Sequence, residues 1–154
     1  MSRENLKIIG VALLSLLIDI IRPLGYIFLA DTTFLVLIAL SFYNKTFFII
    51  FIAFALGIAQ DALIFSSKLF YAIEYPLAVA VVILLNKLLH FIKTKNHPLV
   101  LKALIAALLI LIHTFLLALT VKSAGFFYPA YFFMQSYLIF FFINGIIEKT
   151  LRKI

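Results

Sequence analysis

The chain contains no cysteine. Disulfides, thiolate chemistry and cysteine-based zinc sites are therefore excluded. Charge is scarce too: 12% of the 154 residues are Asp, Glu, Lys or Arg, against roughly 25% in a typical soluble domain. No phosphate-binding glycine-rich loop, nucleophile elbow or metalloprotease helix occurs. The three histidines, His90, His97 and His113, are too scattered for a metal motif. No residue is therefore assigned to catalysis, to a cofactor or to a metal, and the chain is not read as an enzyme. Long polar stretches are missing as well, which leaves no room for a soluble domain, a linker or a low-complexity tail. What is present is apolar: 66% of residues are hydrophobic. A chain with so little polar surface is expected to be an integral membrane protein.

Six apolar segments stand out, at 6–22, 27–43, 46–65, 70–91, 98–121 and 126–147. A spanning helix takes about 20 apolar residues, and the last four segments meet that length. The first two are short, and the second has the length of a tilted or partly re-entrant helix, whose irregular backbone would need protein cover. Pro23 and Gly25 stop the first segment, and Asn44 with Lys45 precedes the third. Ser66, Ser67 and Lys68 form the next break. Asn96 and Pro98 read as an N-cap and a first-turn proline for the fifth. Pro76 either belongs to the first turn of the fourth or kinks it. The basic, apolar N-terminus is not read as a cleaved signal, because no small-residue cleavage site follows. The expectation is an all-α six-helix transmembrane bundle forming one domain over residues 1–154.

The net charge of +7 reads as topology. With the N-terminus in the cytoplasm and six crossings, Arg3, Lys7, Lys45, Lys87, Lys93, Lys95, Lys102, Lys149, Arg152 and Lys153 lie inside. Arg22, Lys68 and Lys122 lie outside. Ten against three is a strong positive-inside bias. Both termini are then cytoplasmic, and the inner basic residues suit anionic lipid headgroups. Nucleic-acid binding has no positive support.

The acids follow a different rule. Asp19, Asp31, Asp61 and Glu74 all fall near the outer ends of the first four segments. Two readings stay open. One is capping and snorkelling at the interface, with Asp31 before Thr32 and Thr33 as a natural N-cap. The other is a polar network that docks a partner or binds a ligand. Within "FALGIAQDALIF", residues 54–65, the carboxylate sits one turn after a glycine. Ala53, Gly57 and Asp61 share a helical face at i, i+4 and i+8, so this small face is expected to press against another helix. Asp61 is expected to meet a donor on a neighbouring helix or a partner, with Arg22 or Lys68 as candidate mates. His113 is read as neutral and hydrogen-bonded to a neighbouring helix. Asn86, Gln135 and Asn144 read as interhelical hydrogen-bonding groups.

An "AD" at 30–31 opening an apolar helix after "RPLGYIFL", then "GIAQD" at 57–61 on the next helix, resembles the family of rod shape-determining protein MreD. Asp31, Gly57 and Asp61 match the family's acid, glycine and second acid. Ala30 stands where the family has proline, Gln60 where it has an apolar residue, and Leu69 where it has a glycine. The resemblance covers the whole chain. It implies a non-catalytic scaffold of bacterial cell elongation in the cytoplasmic (inner) membrane. Such a scaffold pairs with an MreC-like single-span protein and so, indirectly, with an MreB-like filament, a glycosyltransferase and a penicillin-binding protein. Asp31, Ala53, Gly57, Gln60, Asp61 and Glu74 are then the expected packing or partner-contact residues. The fold is also similar to the substrate-binding components of energy-coupling-factor vitamin transporters, which supplies the alternative. Those components carry an Ala-x-x-x-Ala on helix one. The first helix here, "KIIGVALLSLLIDI", lacks it, and Ala103 and Ala107 give that spacing on the fifth.

Overall fold

A computed structural model describes residues 3–21, 31–43, 47–63, 69–91, 98–120 and 128–151. Every regular element among the described residues is an α-helix. In chain order these are α1 (Arg3–Ile21), α2 (Thr32–Tyr43), α3 (Phe48–Leu63), α4 (Phe70–Phe91), α5 (Pro98–Thr120) and α6 (Tyr128–Leu151). Three stretches are long and apolar enough to cross a membrane: Phe70–Leu88, Val100–Leu117 and Ala130–Thr150. α1 is of spanning length but carries Arg3, Glu4, Lys7 and Asp19. Pro76 lies inside α4 rather than in its first turn, so the carbonyl of Ala72 loses its usual partner there.

The shortest helix is the central one. α2 has 12 residues, about 18 Å at the usual rise, against about 30 Å of bilayer hydrocarbon. Residues Thr33 to Phe42 are all buried. Being apolar on every side, α2 has no face to turn outward. α1, α4 and α6 pack along it, with lesser contact from α3 and α5. Around it, α3 lies tightly on α4, and α5 on α6.

The outer surface has the opposite character from that of a soluble protein. Leu13, Leu17, Phe51, Leu77, Leu108 and Phe142 are each more than half exposed. Lipid covers such side chains without penalty, whereas water would not. The core beneath holds Ile8, Phe34, Ile38, Ile49, Tyr75, Ile110 and Phe140. In a bilayer these residues gain little from leaving water. Close packing and satisfied polar groups must therefore hold the helices together.

Candidate functional site

Three polar joints hold this bundle, and the first is the pairing of α3 with α4. α4 begins one residue after Leu69, whose side chain cannot accept a hydrogen bond from its first turn. Asp61, near the end of α3, does so instead. The amide of Tyr71 donates to its Oδ1 at 3.0 Å and that of Ala72 to its Oδ2 at 2.9 Å. A carboxylate at a helix N-terminus also faces the positive end of the macrodipole. The reach is short because Gly57 lets the backbones meet. A Cβ there would lie 2.3 Å from the carbonyl oxygen of Tyr71 and 2.7 Å from the Cα of Ala72. Ala53, one turn earlier, is fully buried in the same seam. The expected small face is thus pressed onto α4, and the donors that Asp61 meets are backbone amides. Arg22 and Lys68, the candidate mates, lie outside the described residues.

The second joint closes the N-terminus of α2. Asp31 caps its own helix: the amide of Phe34 donates to Oδ1 at 2.9 Å, as the Asp-Thr-Thr pattern suggests. Asp19 of α1 takes the remaining donors. The amides of Thr32 and Thr33 reach its two oxygens at 3.1 and 2.8 Å, and both threonine hydroxyls donate to the same carboxylate. The amide of Leu35 then starts the regular ladder on the Asp31 carbonyl at 3.1 Å. The first-turn amides of a helix buried in protein are thereby all satisfied, which the low-dielectric interior requires.

The third joint is a polar cluster between α2, α4 and α5. The Tyr75 hydroxyl donates to Asp31 Oδ2 at 2.6 Å. His113 stands between two carboxylates. Its Nδ1 is 2.9 Å from Glu74 Oε1, and its Nε2 is 3.7 Å from Asp31 Oδ2. The imidazole stacks on Phe34, with ring centroids 4.1 Å apart. Glu74 Oε2 and His113 Nε2 are buried without a hydrogen-bond partner. At the other end of α2, Asn86 of α4 donates to the Phe42 carbonyl at 3.2 Å. There Lys102 of α5 lies 4.6 Å from the Tyr43 ring centroid. The Tyr43 hydroxyl donates to Glu148 of α6 at 3.2 Å. Acid at the N-terminus and a cation at the C-terminus both suit the dipole of α2.

Of the residues singled out from the sequence, Asp31 and Glu74 meet through His113, while Ala53, Gly57 and Asp61 form the separate α3–α4 seam. Gln60 is buried beside that seam, and its Oε1 has no hydrogen-bond partner. Sequence reasoning gave Asp19 and Tyr75 no partner of their own. Asp19 could have been paired with another helix, since it is the last acid of α1 and lies on the buried face at i+4 from Ser15. Among the described residues no group of three or more His, Asp or Glu is arranged to hold a metal ion. Chemically, the first two joints fix backbone amides. The third gathers two carboxylates, a phenol and an imidazole into one buried cluster. No protein-family model, curated protein or solved structure matches the chain.

Proposed function

We propose that this protein is a non-catalytic membrane scaffold of the MreD type, acting in bacterial cell elongation and lateral peptidoglycan synthesis. In this reading it is a multi-pass protein of the cytoplasmic membrane, with six crossings and both termini inside. α2, shorter than the hydrocarbon is thick, lies within the bundle, sheltered from lipid by its neighbours. The partner is an MreC-like single-span protein. Through it the scaffold connects indirectly to an MreB-like filament, a glycosyltransferase and a penicillin-binding protein. Anionic lipids surround the basic inner ends, at about 1 kcal/mol per residue.

The observation that supports the reading is the use made of the three motif residues. Asp31, Gly57 and Asp61 are engaged in building helix joints. Residues committed to architecture suit a protein whose working part is its shaped outer surface. The alternative, a substrate-binding component of an energy-coupling-factor-type vitamin transporter, draws on the third joint. Its polar and aromatic side chains are of the type that orient a small ligand.

Depleting the protein from a rod-shaped host separates the two. The scaffold reading expects round cells, unchanged vitamin uptake and co-purification with a single-span partner. Normal rods with a specific uptake defect would establish the transporter reading in its place.

A further inference from the structure

α4 and α5 are neighbours of α2, but they do not pack closely on each other among the described residues. α4 is held by α3 and α5 by α6. Across the seam between them runs the contact of His113 Nδ1 with Glu74 Oε1, at 2.9 Å. We propose that His113 is a protonation-controlled latch on this seam, an inference independent of the scaffold reading.

The geometry is that of a half-closed clasp. A neutral imidazole has one N–H and one unshared pair; an imidazolium has two N–H donors. With the neutral ring's N–H on Nδ1, it serves Glu74, and Nε2 turns its unshared pair towards the Asp31 carboxylate. That facing is repulsive, and it accounts for the 3.7 Å separation and for the absence of a hydrogen bond at Nε2. A proton added at Nε2 converts the repulsion into attraction. Closure by about 0.8–1 Å then brings the pair into the range of a charge-assisted hydrogen bond. Asp31 is in turn bonded to Tyr75 of α4, so the protonated ring grips α4 twice, through Glu74 and through Asp31. Loss of the proton to water leaves one grip.

The groups facing His113 favour such a role. α4 brings Glu74 and the Tyr75 hydroxyl, and the start of α2 brings Asp31. α1 brings Asp19 beyond Thr32 and Thr33, and α6 brings the Phe132 ring at 6.3 Å. The charged neighbours are all acids, so a positive ring is the complementary state. The Glu74 side chain is 10% exposed and that of His113 only 2%, so the glutamate is the outermost of the pair and the ring is enclosed.

The test uses the full-length protein in lipid nanodiscs. Spin labels are placed at Leu77→Cys on α4 and Ile112→Cys on α5, both exposed, in a chain with no other cysteine. Nitrogen-15 spectra of histidine-labelled protein follow His113 itself, assigned by its loss in His113→Gln. On the acid side of the His113 titration the mean label distance should shorten, and on the alkaline side lengthen. The response should vanish in His113→Gln and weaken in Glu74→Gln, which keeps an acceptor for Nδ1 without the charge. A label distance that ignores the His113 titration would overturn the latch. So would a shift that persists in His113→Gln, or a His113 that holds one charge state throughout the range in which histidine titrates.

Discussion

A single carboxylate and a single missing methyl group decide how α3 meets α4. Asp61→Ala strips the acceptor from one buried and one part-buried amide, and should cost about 2 kcal/mol. Asp61→Asn keeps one acceptor oxygen but turns an NH2 group on the second amide, so about 1 kcal/mol is expected. Gly57→Ala places a carbon against backbone that cannot rotate away. The two helices must move apart, at about 1–3 kcal/mol, and Gly57→Leu should do worse. Denaturant unfolding in detergent ranks these variants. A Gly57→Ala protein as stable as the parent would remove close approach from the account. Asp61→Asn should remain folded and partner-binding; complete loss of function at normal abundance and normal partner binding would reassign Asp61 to proton or ion transfer.

The helix α2 is held by side chains as much as by its own ladder. Asp19 and Thr33 should therefore be energetically coupled. A double-mutant cycle with Asp19→Ala and Thr33→Val should return about 1 kcal/mol or more of interaction energy, and additivity would contradict the joint. Ile38→Ala, in the fully buried middle of α2, should cost at least about 2 kcal/mol, while Leu138→Ala on an exposed face should be near neutral. Much at this scale was legible beforehand. Unbroken apolar runs and Pro98 located the helices, the i, i+4, i+8 set at Ala53, Gly57 and Asp61 gave the buried face of α3, and Asp31-Thr32-Thr33 gave a cap. The central place of α2 was not legible, because a fully apolar 12-residue run reads alike whether protein or lipid surrounds it. The partners of Asp19, Glu74 and His113 were hidden for a related reason. They join residues 14, 39 and 82 positions apart, and local pattern carries no information about such distances.

For the molecule as a whole, the Lys and Arg asymmetry sets a direction that can be checked directly. Single cysteines replacing Lys95 and Lys122 are treated with an impermeant thiol reagent on intact cells. Labelling is expected at 122 and not at 95, and the reverse pattern would invert the topology. The same orientation would put Asp19 and Asp31, at the start of α2, outside and Lys102 inside, in keeping with the dipole of α2. The dependence of α2 on distant caps also bears on biogenesis. During synthesis the second helix emerges before Tyr75, Asn86, Lys102, His113 and Glu148 exist, so once α3 is finished the side-chain caps available to α2 are Asp19 and Asp31, and its packing partners are α1 and α3. A segment about 18 Å long at the usual rise, with open carbonyls at its inner end, has no stable seat in lipid at that stage. Translation-arrested chains ending after α3 should leave α2 open to protease or held by the insertion machinery, and extension through α6 should close it. The order of manufacture and the order of assembly are therefore expected to diverge, with the second helix made early and completed last.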